Sequence, residues 1–366
     1  MTPSRALFSI ANPWHYTPTS DALFVDAVRD AAAYLLQHSP EFRQAADEVG
    51  FKLEALRSID DLPRLPWIDA AIYKQRPIRC GDATPAVTFS SCGTRGPESD
   101  VALDRTALTH AALLRQQLMA SQGITDRRPT NYLMLSYDQE AVGLRGAGWA
   151  NIFLTRFAPI HARHFAVRLT ADSQPTFDLD GAVAQLAEFA SQPHPVRIIG
   201  FPDLIWRTVV AVQQQYTSLP LPEDSLLFHG GGWKGWSWTD GSGGRTAAMT
   251  ALCAEVFELK RNRMREFFNF TEHCIPYMSD ADGRLRIPLQ SRVLARHPDT
   301  FEVVPPGSVG VLQFITPLNT LQPSLSLLSG DLGAVHRDET GRETILEVHG
   351  RIDPQSVSCA DLAAEL

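Results

Sequence analysis

The sequence predicts an α/β protein in which helix-covered, mostly parallel sheets are followed by a smaller β-rich subdomain. Three observations carry this. Amphipathic segments alternate with short apolar, β-prone runs between residues 104 and 270, as crossover helices and parallel strands do. Beyond Glu272 the texture changes to short β-prone runs separated by Gly and Pro. Polar, Gly-containing motifs fall just after several apolar runs, where open α/β sheets bind ligands.

The elements follow in order. Ser20 and Asp21 are good N-caps, and Leu23, Val25, Ala27, Val28, Ala31, Ala32, Leu35 and Leu36 fall near helical spacing, predicting a helix-rich lead-in over 21–60. Leu62-Pro63-Arg64-Leu65-Pro66-Trp67 ends it, because proline removes a donor and clashes with the preceding turn. An extended segment over 85–90 follows. Asp104 starts an amphipathic pattern through Leu108, Ala111, Leu114 and Leu118 that stops near Gly123, and Tyr132-Leu133-Met134-Leu135 reads as a strand. The alternation continues with a helix over 181–191, a strand over 196–200, a helix over 204–215 and a strand over 225–228. A helix from Thr246 to about Arg261 then leads to a strand at Phe267-Phe268-Asn269-Phe270. Gly310 to Ile315 and a hairpin around Asp338-Glu339-Thr340-Gly341 belong to the β-rich part. The expected division is an α/β core over 1–272, a β-rich subdomain over 273–349 and a truncated hinge and C-terminal tail over 350–366.

Hydrophobic residues make up 44% and charged residues 20% of 366 positions, which describes a globular chain able to bury a large core. The formal charge of −8 argues against a surface built to neutralise nucleic-acid phosphates and favours a small-molecule partner. Cysteines at 80, 92, 253, 274 and 359 form no CxxC pair and have no His at zinc-ligand spacing, so neither a disulfide framework nor structural zinc is expected. Reduced thiols fit a cytoplasm. Met1 to Trp14 lacks a charged start followed by a long apolar run, and no stretch is apolar enough to span a bilayer. No membrane partner is expected.

Four motifs carry the chemistry. Ser90-Ser91-Cys92-Gly93-Thr94-Arg95-Gly96 places hydroxyls and glycines after a strand, where N–H groups and hydroxyls can cradle phosphate oxygens; taken alone it is equally a plain Ser/Gly turn. In Asn269-Phe270-Thr271-Glu272 a carboxylate closes a buried strand, which asks for a compensating cation such as the Mg²⁺ that accompanies ATP, and Glu272 is the metal-ligand candidate. The plain alternative is a loop acid or helix cap. Asp331 in Ser329-Gly330-Asp331 can accept from both ribose hydroxyls, or serve only as a turn aspartate. The fourth motif is Gly350-Arg351-Ile352-Asp353.

Two further segments stand out. His229-Gly230-Gly231-Gly232-Trp233-Lys234-Gly235 contains GxGxxG, but loop-forming residues follow it, so a dinucleotide fold is rejected. Its glycines instead suit close approach of backbone to a flat ring, adenine or an aromatic substrate, with a tight turn packed on Trp236 and Trp238 as the alternative. His161, Arg163, His164 and Arg168, with Arg145 and Trp149, form a basic and aromatic cluster that suits an anionic or aromatic acid, or a solvated face.

Taken together, the four motifs resemble those of the adenylate-forming acyl and aryl ligase superfamily, in particular its LuxE-like acyl-protein synthetase branch. The lead-in Ile59 to Pro66 and the Gly230 to Lys234 run are similar to that branch. The resemblance covers nearly the whole chain and implies the fold of the large domain of adenylate-forming enzymes, with the C-terminal domain largely missing, since thirteen residues follow Asp353. It implies that ATP and a carboxylic acid give an acyl-adenylate and pyrophosphate. Ser90, Ser91, Gly93, Thr94 and Thr271 would then contact phosphates, Glu272 Mg²⁺, Asp331 the ribose, and Arg351 with Gly230, Gly231 and Gly232 the nucleotide. Arg145, Trp149, His161 and Trp233 are the substrate candidates, and they tilt the expectation toward an aromatic acid such as those of phenazine antibiotic biosynthesis. Cys92 and Arg95 depart from the usual phosphate loop, and the family's catalytic lysine is missing, which leaves Lys234 as the cation candidate. Cys359 occupies the place of the branch's acyl-accepting cysteine. The alternatives are a fatty-acyl-protein synthetase using Cys359, feeding a reductase or another acyl-acceptor protein, and a non-catalytic nucleotide-binding regulatory subunit.

Overall fold

A computed structural model describes residues 1–91, 98–138, 151, 153–169, 175–233 and 242–352. Helix α1 (Pro3–Phe8) is capped by Thr2. Helix α2 (Pro18–His38) begins before the expected Ser20: Pro18 takes a first-turn position where its missing N–H costs nothing. Thr17 is the N-cap, and Ser20 completes a capping box, with Thr17 N–H on Ser20 Oγ at 2.8 Å and Ser20 N–H on Thr17 Oγ1 at 3.1 Å. Ser39 ends α2 and caps α3 (Pro40–Glu48). The proline-marked segment becomes a 3₁₀ turn over Ile59–Arg64, leading to β1 (Ile68–Asp69) and α4 (Ile72–Gln75).

Next come the hairpin β2 (Val87–Ser90) and β3 (Asp100–Leu103), helix α5 (Arg105–Ser121) capped by Asp104, and β4 (Thr130–Tyr137). Strands β5 (Ile160–Leu169) and β6 (Pro175–Phe177) precede α6 (Leu179–Ala190), β7 (Val196–Gly200), α7 (Pro202–Tyr216) and β8 (Leu226–Gly230). Helix α8 (Ser242–Val256) connects β8 to β9 (Met264–Phe268). Strands β10 (Tyr277–Ser279), β11 (Leu285–Arg286), β12 (Arg292–Arg296), β13 (Gly310–Ile315), β14 (Ser326–Arg337) and β15 (Glu343–Arg351) complete the described chain.

The sheet order is β12-β13-β14-β15-β11-β10-β9-β8-β7-β4-β5-β6, with β1 also on β14 and β2-β3 as a separate pair. Neighbours in β5-β4-β7-β8-β9 run parallel. The change of texture at residue 272 marks a switch to antiparallel pairing within this continuous sheet, since Phe268 of β9 partners Tyr277 of β10. Alternate side chains of β4 divide between two cores. Leu133 and Leu135 pack with α6, α7 and α8, whereas Tyr132 and Met134 pack with α5 and the N-terminal helices. This layering leaves the carboxyl ends of β7, β8 and β9 free to carry a site.

The basic cluster at 161–168 is strand β5. Ile160, His161 and Arg163 are exposed, and among its residues whose burial is described only Ala166 and Val167 are fully buried, so its sequence lacks the apolar run that marks the interior strands.

Candidate functional site

Register brings two motifs together. Gly230, the last residue of β8, partners Phe267 of β9, so His229–Trp233 and Phe268–Glu272 emerge side by side. A Cβ on Gly230 would lie 2.5 Å from the Phe267 carbonyl oxygen, and Gly231 and Gly232 have φ of 91° and 77°. Strand contact and left-handed turn geometry therefore account for these glycines. Trp233, expected to face the substrate, instead donates Nε1–H to Thr246 Oγ1 at 3.0 Å and packs against the core of α8. Its position after a left-handed turn directs the indole at the helix.

The Thr271–Glu272 turn is held from several sides. His273 and Cys274 donate their N–H groups to Phe270 O at 3.2 and 3.3 Å, and Cys274 Sγ donates to Thr271 O at 3.1 Å. Cys274 has φ of +64°, a left-handed conformation that costs a non-glycine residue about 1–2 kcal/mol. Buried Arg115 donates to Ala111 O at 3.0 Å and to Cys274 O at 3.3 Å, with its guanidinium 4.2 Å from the Phe153 ring centre. Burial pushes the Arg115 pKa down to about 10. His273 Nε2 lies 2.7 Å from Tyr277 Oη, which lies 2.7 Å from Ser291 Oγ. The rings of Phe268, Phe270, His273 and Tyr277 all lie 5.0 to 5.8 Å from Phe314, tying the turn to β13.

Glu272 is 8% exposed, and no described residue gives its carboxylate a hydrogen bond or an ion pair. Mg²⁺ commonly takes one or two carboxylates together with phosphates and waters, so a single hard-oxygen ligand of this kind fits it. Among the described residues no group of three His, Cys, Asp or Glu side chains could hold a metal by itself.

Asp331 of β14 faces Arg351 of β15, with Nε to Oδ1 at 3.6 Å. The Asp331 N–H donates to Ser329 Oγ at 3.1 Å, and Ile352 N–H to Gly330 O at 2.8 Å. Burial raises the Asp331 carboxyl, which Arg351 and Ser329 partly offset. Ser90 ends β2 opposite Asp100. Ser91 accepts the Ser99 N–H on Oγ at 2.9 Å and donates its own N–H to Ser99 O at 3.0 Å, closing the hairpin base. Gly93 and Thr94, with Cys92 and Arg95, lie outside the described residues. Gln322, missed in the sequence, positions this hairpin: it accepts from Ala102 N–H at 3.0 Å and donates to Ile78 O and Asp100 O at 3.0 and 2.9 Å.

A cavity of about 950 Å³ opens between α8 and strands β8 to β11 and β15, lined by His229, Thr246, Glu266, Ser279, Leu285 and His349 among others. His229 and Glu266 are register partners on β8 and β9. Burial pushes Glu266 up to about 7 and His229 down to about 4, and no described cation pairs with Glu266. His349 is two residues from Arg351, and Glu266 precedes Thr271 on the same strand and turn. Sequence reasoning missed Glu266 and His349, because neither belongs to a motif and only the folded sheet brings both to the lining of one cavity.

His161 does not join the site. It is exposed at the amino end of β5, its ring tilted against His194 at 3.9 Å, whereas Gly230 and Thr271 lie at the opposite ends of the parallel strands. Arg145, Trp149, Lys234 and Cys359 lie outside the described residues.

The acyl-protein synthetase (LuxE) family matches residues 8–365. The chain belongs to this family. It is an ATP-dependent, carboxylate-activating ligase. The LuxE chain is similar to the long-chain-fatty-acid–luciferin-component ligase of Aliivibrio fischeri, at 21% identity over 84% of this chain and 78% of the relative. Its fold is similar to that of 2-hydroxyisobutyryl-CoA ligase in complex with 2-HIB-AMP and CoA in the thioesterification state, with TM-score 0.69 at 18% identity over 93% of this chain and 70% of that one. The open conformation of the same ligase gives 0.66 at 17% identity, over 92% and 77%. Among the described residues no helix is long and apolar enough to cross a membrane.

Proposed function

We propose that this LuxE-family chain binds ATP with Mg²⁺ across β8, β9 and β14, forms an acyl-adenylate from a carboxylic acid, and passes the acyl group to a protein thiol as a thioester with release of AMP. The observation that carries this is the buried Glu272 carboxylate without a described counter-charge, standing at the end of β9. Adenine would lie in the cavity, where the ionised Glu266 carboxylate can accept from its exocyclic amine. Asp331 would accept from the ribose hydroxyls, with Arg351 beside it offsetting part of the cost of burying its charge. Thr271 and the Ser90–Ser91 hairpin would donate to phosphate oxygens. Glu272 would hold Mg²⁺, which when bound would supply positive charge where two anions, carboxylate and α-phosphate, must approach. The acid oxygen attacks the α-phosphorus and pyrophosphate leaves in line, a step in which the protein aligns and screens without covalent chemistry of its own.

An aliphatic acid is favoured over an aromatic one. Two of the residues that suggested an aromatic pocket have other roles, His161 at the far strand ends and Trp233 on α8. The Aliivibrio fischeri relative acts on a long-chain fatty acid. Cys359 is the thiol candidate within this chain.

The test is acid-dependent exchange of labelled pyrophosphate into ATP across fatty acids and aromatic mono- and diacids, followed by trapping of acylated protein. Exchange with a fatty acid and a thioester abolished by Cys359→Ala is the expected result. Exchange with aromatic acids alone would refute the aliphatic assignment, and a thioester surviving Cys359→Ala would remove that cysteine. ATP binding without exchange for any acid would favour a regulatory subunit.

A further inference from the structure

His273 directly follows the metal-ligand candidate and is 1% exposed. Its ring lies nearly parallel to Phe270, at 5.2 Å and 9°, and to Tyr277, at 5.8 Å and 8°. His273 Nε2, Tyr277 Oη and Ser291 Oγ form a chain of hydrogen bonds at 2.7 Å each, and Ser291 Oγ reaches on to Ile315 O of β13 at 3.1 Å. This chain of bonds, together with the stacking, holds the orientation of the imidazole and anchors the turn to β13. The opposite side of the turn is fastened by Arg115 on the Cys274 carbonyl, with Cys274 itself in the left-handed region. A residue held in such a conformation beside a functional motif points to a constraint that the surrounding contacts maintain. The two fastenings leave the Glu272 backbone little freedom to swing.

We propose that His273 is a positioning residue for Glu272: the stacked, hydroxyl-anchored imidazole fixes the direction in which the adjacent carboxylate meets the nucleotide-bound divalent cation. This rests on the assignment of Glu272 above. His273 touches neither nucleotide nor metal; it acts through the turn. Phenylalanine at 273 keeps the stack and loses the hydrogen bond, whereas glutamine can return a donor near the Nε2 position.

The experiment compares Glu272→Gln, His273→Phe, His273→Gln and Tyr277→Phe in the full chain. It reads Mg²⁺-dependent ATP binding by calorimetry, Mg²⁺-titrated pyrophosphate exchange and thermal melting. Losing a hydrogen bond of this kind corresponds to about a tenfold rise in the Mg²⁺ needed for half-maximal ATP binding in His273→Phe, with the KM for the acid unchanged. His273→Gln should recover to within about threefold of the parent, and Tyr277→Phe should shift in the same direction as His273→Phe. An unchanged Mg²⁺ requirement in His273→Phe, with Glu272→Gln impaired, overturns the role of His273 alone. Glu272→Gln behaving like the parent overturns the metal assignment and this inference with it. Equal loss in the Phe and Gln variants, with kcat and melting temperature falling together, indicates a merely structural residue and also overturns it. If His273→Phe does not fold, Tyr277→Phe decides by the same Mg²⁺ readout.

Discussion

Glu266→Gln should stabilise the protein increasingly as pH rises. Burial lifts the Glu266 carboxyl from 4.5 to about 7, which at about 1.4 kcal/mol per pH unit corresponds to about 3 kcal/mol between the two protonation states. Part of the side chain opens onto the cavity, where water screens the charge, so about 2–3 kcal/mol is the expected size. The folded state holds the proton more tightly than the unfolded state does. The carboxyl's contribution is therefore fully present below pH 4.5, falls as pH rises through 7, and is constant above that. Glutamine cannot ionise. Its advantage over the parent should be less than about 1 kcal/mol at pH 5 and about 2–3 kcal/mol at pH 8. For a chain of this length that is about 3 °C in melting temperature at pH 8. Melting both proteins at one scan rate from pH 5 to pH 8 measures the difference, in which all other titrating groups cancel. A difference that is flat with pH, or largest at pH 5, would refute the buried, unpaired carboxylate. Weaker ATP binding by the same variant at pH 8 would fit Glu266 as acceptor for the base.

Gly230→Ala places a methyl 2.5 Å from the Phe267 carbonyl oxygen, so it should push β8 from β9 and cost about 1–3 kcal/mol, read by urea unfolding. Cys274→Gly removes the left-handed penalty and should unfold no more easily than Cys274→Ala, whereas β-branched Cys274→Val should lower the melting point. Gln322→Leu leaves Ala102 N–H, Ile78 O and Asp100 O without this partner. A loss of about 2–4 kcal/mol, with a raised KM for ATP in pyrophosphate exchange, is expected if the hairpin presents the phosphate loop.

The sequence by itself determined the alternation of helices and parallel strands, because periodicity is a local property. Val196–Gly200 emerges as a strand with the expected bounds and Asp104 caps its helix. The motif order was likewise legible, since Thr271-Glu272 and Ser329-Gly330-Asp331 depend on adjacent residues alone. Strand β5 was hidden, because its exposed first half carries His and Arg instead of an apolar run. Other features exist only in three dimensions. Glu266 meets His229 through the register of β8 and β9, and Gln322 reaches Ala102 across 220 residues. Trp233 turns toward α8 and His161 falls at the opposite strand ends, although both had the composition of pocket residues. Composition says which chemistry a side chain can perform; only packing decides which side chains share a space, because a strand's register and direction are set by long-range pairing that no local pattern encodes.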